Sequence, residues 1–220
     1  SGNQYGSLSS AYSYDSPSIT SQSRLTSPST GSVMLTLFGL NFGGTNTLPS
    51  VVVGGSGCGS STWVADSCVV CSTAAGVGSS HSIVITVGRQ GVSASSRLTY
   101  DSPVVKGVVK TNGPASGGVD VTVSGSGFGV VGYSCGVRVG GSGCERSVWV
   151  SDSSVVCGLG GGVGGVHGVV VSAWSQDGEV SKSFSYDVPS VVGAVKTNGP
   201  ATGGVDVTVS GSGFGVVGYS

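Results

Sequence analysis

Two histidines and one run of glycines are the residues that most resemble catalytic or phosphate-binding groups. His81 and His167 could transfer protons, but no carboxylate or nucleophile accompanies both in sequence, and a lone His is normally structural. The run 158–165, GLGGGVGG, contains the glycine spacing of a nucleotide-binding loop. No Lys-Ser or Lys-Thr follows it and no helical pattern supplies an N-terminus for phosphate, so the run predicts a turn. The chain is therefore predicted to be no enzyme and to take no cofactor.

Four of the six cysteines form two pairs with the same spacing of 13 residues, Cys58 with Cys71 and Cys144 with Cys157. A structural zinc site needs a second Cys or His pair at ligand spacing, and none stands near either pair. Calcium needs six to eight oxygen ligands, and no acidic cluster supplies them. The sequence therefore predicts no metal site.

The composition separates this chain from several classes of protein. Its 220 residues include 42 glycines, and only 9% are charged, with a net charge of −1. No apolar run approaches the ~20 residues of a membrane span, and the balanced charge gives no reason to expect nucleic acid. Soluble surfaces usually carry about 25–35% charged residues. The exterior is therefore expected either to be covered by Ser and Thr hydroxyls, with O-linked glycans or without them, or to be buried against other copies of the chain.

The sequence repeats itself with an offset of 86 residues. Residues 111–134 recur as 197–220 with one change, Ser116 to Thr202, and the same offset places Trp63 on Trp149. The repeat predicts two complete domains, 18–103 and 104–189. Residues 1–17 match the last strand or strands of a preceding repeat, and residues 190–220 match the first strands of a following, truncated one. This phase favours a segment of a longer repetitive chain.

Within a repeat the apolar residues alternate with a period of two. Val119, Val121 and Val123 are separated by polar residues, and Gly clusters and Asn-Gly-Pro mark the turns. Seven or so short strands with one apolar face each predict an all-β, two-sheet sandwich. No segment of useful length has a helical pattern.

The turn and strand motifs resemble the IPT/TIG domain, an immunoglobulin-like module of plexins, related receptors and some transcription factors. The motifs are Asn112-Gly-Pro-x-x-Gly-Gly, Gly125-Ser-Gly-Phe-Gly, Val139-Gly-Gly-Ser-x-Cys, Ser151-Asp-x-x-Val-Val-Cys and Phe184-x-Tyr. The resemblance covers essentially the whole chain. It implies a fold of tandem immunoglobulin-like β-sandwiches of the IPT/TIG type. It does not imply one function, because such sandwiches serve many functions.

The resemblance also implies an intradomain disulfide in each complete repeat, between Cys58 and Cys71 and between Cys144 and Cys157. Closing a loop of about 14 residues would stabilise a Gly-rich domain by roughly 3 kcal/mol. The alternative is reduced, buried thiols in a cytosolic protein.

Cys68 and Cys135 break the repeat, since Ser154 and Pro49 stand at the matching positions. An odd thiol in an oxidised protein suggests pairing elsewhere. They are expected either to bond, with each other between neighbouring domains or with equivalents in another chain, or to remain two inert free thiols.

A Tyr-Asp-x-Pro motif stands at each predicted domain junction. Proline removes a backbone donor and restricts its neighbour to extended geometry, so it can end one domain and stiffen the passage to the next. The junction residues are Tyr14, Asp15, Pro17, Tyr100, Asp101, Pro103, Tyr186, Asp187 and Pro189. Almost no linker residues remain between repeats.

These observations favour a structural protein, an extracellular or cell-surface filament or fibril of tandem IPT domains that associates with other copies of itself. O-linked glycans on Ser and Thr are an expected covalent partner, and nucleic acid is not. The alternative is the stalk or ligand-binding ectodomain of a receptor or adhesin. A third possibility is a set of accessory domains of a carbohydrate-active enzyme.

Overall fold

The computed structural model describes residues 6–7, 12–132 and 135–216. The chain divides into two compact units. The first comprises the described residues among Ser1–Ser27, Gly31–Ala74 and Ser80–Thr99, and the second those among Pro28–Thr30, Ala75–Ser79 and Tyr100–Ser220. Regular structure in the described ranges is entirely strand, and no helix there has the length and apolarity needed to cross a membrane. The predicted all-β class is confirmed.

The first repeat forms nine strands: β1 (Ser18–Gln22), β2 (Thr26–Ser27), β3 (Met34–Leu40), β4 (Ser50–Val53), β5 (Ser56–Gly57), β6 (Ser60–Ala65), β7 (Cys68–Ser72), β8 (His81–Val87) and β9 (Gln90–Tyr100). They make a four-stranded sheet in the order β1-β3-β7-β6 and a five-stranded sheet in the order β2-β9-β8-β4-β5.

The second repeat forms the same nine strands: β10 (Val104–Val109), β11 (Asn112–Gly113), β12 (Asp120–Ser126), β13 (Gly136–Val139), β14 (Ser142–Gly143), β15 (Arg146–Ser151), β16 (Ser154–Gly158), β17 (His167–Ala173) and β18 (Gln176–Tyr186). Its sheets are β10-β12-β16-β15 and β11-β18-β17-β13-β14. The short strand β11 runs parallel to β18, and the longer neighbours pair antiparallel.

Residues 190–216 contribute one further pair, β19 (Ser190–Val195) and β20 (Thr208–Ser212). The two strands pair antiparallel and repeat the register of β10 with β12, including its bulge. The alternating valines and the Gly-rich turns therefore produce the same local ladder at both places.

The core of each unit lies between its sheets and consists of the inward-facing residues of the alternating strands. In the second repeat these are Val121, Val123, Phe128, Val137, Val139, Val155, Cys157, Leu159, Val169, Val171 and Phe184. In the first they are Leu35, Leu37, Phe42, Val51, Val53, Val69, Cys71, Ile83, Ile85 and Leu98. The period-two pattern of the sequence thus marks which side chains are buried.

Candidate functional site

The structure joins Cys58 to Cys71 and Cys144 to Cys157, with Cα–Cα distances of 5.9 and 5.6 Å. Each bond ties the residue directly after β5 or β14 to a buried position of a longer strand, because Cys71 lies in β7 and Cys157 in β16. Both of these cysteines are completely buried. The bonds therefore anchor an otherwise Gly-rich turn to the core.

Cys68 and Cys135 are both free thiols. Cys135 is buried, and its Sγ donates to the carbonyl oxygen of Phe128 at 3.4 Å. Burial raises the pKa of the Cys135 thiol, which lowers the fraction present as reactive thiolate. Cys68 is half-exposed on β7. The bond predicted between these two residues is not formed in the structure, and a bond to another chain stays a prediction.

A glutamine directly after a hairpin turn binds the Tyr-Asp-x-Pro motif in both complete repeats. Gln90 follows the β8–β9 turn, and its Nε2 donates to the Tyr14 carbonyl at 3.3 Å. Gln176 follows the β17–β18 turn, and its Nε2 donates to the Tyr100 carbonyl at 2.9 Å and to Ser102 Oγ at 3.2 Å. We call this arrangement the junction clasp. It holds the end of one repeat against the hairpin of the next.

Backbone contact reinforces the clasp in the second unit. Gly178 follows Gln176 by two residues, and a Cβ built on it would stand 2.2 Å from the carbonyl oxygen of Pro103. Pro103 is itself buried, as is Pro17, whereas Pro189 is exposed. Only a residue without a side chain lets the hairpin approach the junction backbone this closely.

The remaining junction residues differ in their surroundings. Tyr100 and Tyr186 are almost fully buried, whereas Tyr14 is 81% exposed. Asp15 and Asp101 are exposed, whereas the backbone N–H of Asp187 donates to the Gly113 carbonyl at 2.8 Å and its carboxylate accepts from Asn112. The three copies therefore differ: Tyr is buried in the second and third, Pro is buried in the first and second, and Asp187 of the third makes two hydrogen bonds.

A second repeated contact holds the turn after β3 and β12. The N–H of Gly43 donates to Asp66 Oδ1 at 2.8 Å, and Nε1 of Trp63 donates to the Gly43 carbonyl at 3.1 Å. The second repeat has the same two bonds, from Gly129 to Asp152 and from Trp149 to Gly129. The tryptophan and the aspartate thus fix a glycine turn.

The residues that resembled catalytic or phosphate-binding groups have structural contacts. Nε2 of His167 donates to the Val163 carbonyl at 3.1 Å, and its ring lies edge-on to Tyr186 at 5.5 Å. The glycine run packs against the same tyrosine. The Tyr186 hydroxyl donates to the Gly160 carbonyl at 3.2 Å, and a Cβ on Gly162 would clash with the Tyr186 ring. The run is a turn packed on an aromatic side chain.

Among the residues that the structure describes, no group of three or more His, Cys, Asp or Glu side chains could hold a metal ion. Two clefts in the second unit have volumes of about 280 and 430 Å³, at the small end of ligand pockets. The junction clasp is a polar arrangement that recurs in both complete repeats.

The repeat predicts the junction motif but not Gln90 and Gln176, which bind it. Both glutamines recur at the 86-residue offset, each directly after a predicted turn between two strands. That recurrence was the available signal. A glutamine near a turn has no distinctive chemistry by itself, so only the packing of the hairpin reveals its partner.

The paired sheets, the intradomain disulfides and the repeated junction contacts define a tandem array of immunoglobulin-like β-sandwiches. The family model of the IPT/TIG domain matches residues 17–100 and 103–186. The chain belongs to the IPT/TIG domain family, as its motifs indicated.

The chain is 30% identical over 203 residues to Fibrocystin-L of Mus musculus, a match that covers 90% of this chain and 5% of that protein. It therefore spans only a small part of this relative's length. Among solved structures, the surface glycan-binding protein PbSGBP-B of Prevotella bryantii aligns with a TM-score of 0.54 at 12% identity, over 77% of this chain and 42% of that one. The extracellular region of plexin A4 aligns with a TM-score of 0.38 at 21% identity, over 84% and 19%. At 12% identity the match to PbSGBP-B shows the fold alone.

Proposed function

We propose that this chain is a non-catalytic stalk segment of an extracellular or cell-surface protein, in which tandem IPT domains hold other binding domains at a fixed spacing. The observation that carries the proposal is the junction clasp. It recurs in both complete repeats and binds backbone that a flexible linker would leave free.

The two disulfides support the extracellular location. Disulfides of this structural kind persist in oxidising compartments and are rare in the cytosol. Each closes a loop inside one domain and leaves the junctions untouched. The domains are thus stabilised individually, which suits a segment exposed to solvent on all sides.

The short connection between repeats supports the stalk. The matches to the family model end at residue 100 and resume at residue 103, so almost no residues are available for a flexible linker. Within this connection Ser102 and the Tyr100 carbonyl are bound by one glutamine side chain. Both partners of Gln176 lie with it in the second unit, so these hydrogen bonds hold the connecting residues against the second repeat.

The test measures the distance between the repeats by pulsed electron spin resonance. Spin labels on Cys68 and on Val148→Cys, with Cys135→Ser to remove the buried thiol, report the first and the second repeat. We expect a narrow distance distribution that broadens in Gln176→Ala, because that variant loses the contacts to Tyr100 and Ser102.

Gln90→Ala is the matched control, since its partner Tyr14 lies outside the segment between the labels. This variant should keep the narrow distribution. A broad distribution in the parent chain, or one that Gln176→Ala leaves unchanged, would contradict a stalk.

The filament that the composition predicts is the second candidate function. Nine basic and ten acidic residues leave little charge to keep copies apart, and low net charge promotes association. Electron microscopy of the concentrated protein tests it: regular fibres support a filament, and dispersed monomers contradict it. Glycans on Ser or Thr remain a prediction that the intact mass of the secreted protein would check.

A further inference from the structure

The outward side of the sheet β1-β3-β7-β6 in the first repeat carries four exposed apolar side chains, with Thr36 and Thr62 on the same side. Met34, Phe38 and Leu40 of β3 are 54%, 43% and 56% exposed, and Val64 of β6 is 54% exposed. Strand β7 adds two half-buried residues between β3 and β6, Cys68 and Val70. We call these six residues the apolar face. Phe38 lies directly opposite Cys68 in the register, so the free thiol stands among apolar side chains.

The IPT fold does not require this face. In the second repeat the positions of Met34, Phe38, Leu40 and Cys68 hold Asp120, Ser124, Ser126 and Ser154. Asp120 there pairs with Arg146 across the sheet at 2.6 Å, and both side chains are more than half exposed. The third repeat also has polar residues at three of these positions, Asp206, Ser210 and Ser212. Apolar side chains at these four positions are therefore specific to the first repeat, whereas the matching sheet of the second repeat exposes Val148 and Val150 of β15.

We propose that the apolar face binds the same face of a second copy of this chain, with the two β-sheets packed across a twofold axis. The face carries no charged residue and the chain has a net charge of only −1, so two identical faces meet without electrostatic repulsion. By contrast, a charged partner would find no complementary group on it. Antiparallel sheets pack face to face at about 10 Å through alternating side chains of this type.

The exposed area predicts how strong the pairing is. The four exposed side chains offer on the order of 400 Å² of apolar surface, which is within the range of the largest patch on a typical monomer, a patch that is often functional. It is about half of what each partner contributes to a standard interface, roughly 800 Å². The pairing is therefore weak and depends on concentration. Because a twofold contact is self-complementary, it closes at two copies and leaves the other surfaces free.

Cys68 reports on this contact. In an antiparallel or twofold arrangement the two Cys68 thiols approach each other near the centre of the face. Oxidised glutathione then accepts two electrons from the two thiols, which lose their protons and form an S–S bond, and it leaves as two molecules of reduced glutathione. Cys135 is the internal control, because its thiol is buried and hydrogen-bonded to Phe128.

The experiment combines sedimentation with disulfide mapping on the full chain. Sedimentation under reducing conditions gives the monomer–dimer dissociation constant, and mass spectrometry after oxidised glutathione identifies the cross-linked peptides. We expect a reversible dimer and a Cys68–Cys68 link. Phe38→Ser with Leu40→Ser introduces the residues that the second repeat tolerates at the same positions, and it should raise the dissociation constant at least tenfold.

Two controls distinguish this face from others. Val150→Ser with Val156→Ser removes apolar groups from the matching face of the second repeat and should leave the dimer unchanged. Cys68→Ser should abolish the covalent link but keep the reversible dimer. A monomer at every concentration, a link through Cys135, or a dimer indifferent to Phe38→Ser with Leu40→Ser would each overturn the proposal. The pairing does not depend on the stalk function, since none of these readouts involves the junction clasp.

Discussion

Residues 104–130 and 190–216 are nearly the same sequence in two different environments. Phe128 is completely buried and its counterpart Phe214 is 49% exposed. Val121 and Val123 are completely buried, whereas Val207 and Val209 are 52% and 50% exposed. In the second repeat, strands that come later in the chain, β16 and β17 among them, cover these side chains.

The local backbone is nevertheless the same in both places. The ladder β19–β20 repeats the register of β10–β12, and the turn glycines after it have φ values of 79° and 92° in one copy and 77° and 91° in the other. The local sequence therefore determines strand pairing and turn conformation. Burial, and with it most of the hydrophobic free energy, depends on residues elsewhere in the repeat.

Strands that cover Val207, Val209 and Phe214 should remove the difference. A chain lengthened after Ser220 by a second copy of residues 135–189 supplies the strands that cover Val207, Val209 and Phe214. We expect a third cooperative unfolding transition in calorimetry. Its enthalpy should be on the order of 60 kcal/mol for a repeat of 86 residues.

The control for this extension carries Phe214→Ser, which places a hydroxyl where the second repeat has a buried phenyl ring. The third transition should move to lower temperature or disappear. If the lengthened chain without Phe214→Ser showed only two transitions, the burial of β19 and β20 would not depend on the added strands.

Truncating one phenylalanine in each environment sharpens the comparison. Phe128→Ala leaves a cavity in a packed core and should cost about 3–5 kcal/mol of unfolding free energy. Phe214→Ala removes a half-exposed ring and should change stability by less than about 0.5 kcal/mol. Hydrogen exchange in urea measures both, through the β12 and β16 peptides for Phe128→Ala and through the β19 and β20 peptides for Phe214→Ala. Equal costs would contradict the difference in burial.

The long strands are predictable from the sequence because apolar and polar residues alternate over enough positions to show a period of two. Val121 and Val123 lie in β12, and Phe184 and Tyr186 lie in β18, as the period-two pattern indicated. The two-residue strands β2, β5, β11 and β14 carry no such period, and each repeat therefore has nine strands instead of about seven. Their pairing is imposed by the longer strands beside them.

The disulfides provide a smaller and local contrast between the repeats. Cys144→Ala with Cys157→Ala should destabilise the second unit by about 3 kcal/mol, because the unfolded chain loses a closed loop of about 14 residues. The pair β19–β20 contains no cysteine and should exchange its amides at an unchanged rate. Cys58→Ala with Cys71→Ala is the matched control, which should affect the first unit only. Destabilisation of both units by either variant would indicate strong coupling between them.

The candidate site could be predicted only in part. The junction motif contains Pro and Tyr at a fixed offset, which sequence comparison detects directly. The clasp and the apolar face depend on which side chains meet in space: Gln176 reaches Tyr100 over 76 residues of chain, and Phe38 meets Cys68 across two strands. No local pattern contains that information.

The two Asn-Gly pairs give the most sensitive test of the comparison. Deamidation requires the glycine nitrogen to attack the side-chain carbon of the asparagine; ammonia then leaves, and water opens the ring. Ser185 Oγ donates to Asn112 Oδ1 at 2.8 Å, the Asn112 amide donates to Asp187, and Gly113 is buried in β11. Asn198 and Gly199 are exposed and lie outside any strand.

We therefore expect Asn198 to deamidate several times faster than Asn112 at mildly alkaline pH. Peptide mass spectrometry over days of incubation measures both sites in one sample, and the identical flanking residues Thr-Asn-Gly-Pro remove the effect of local sequence. Ser185→Ala frees one oxygen of Asn112 and should bring the two rates closer. Equal rates in the parent chain would mean that the hydrogen bonds around Asn112 do not protect it from deamidation. The difference in side-chain burial between the two regions would then not extend to the backbone.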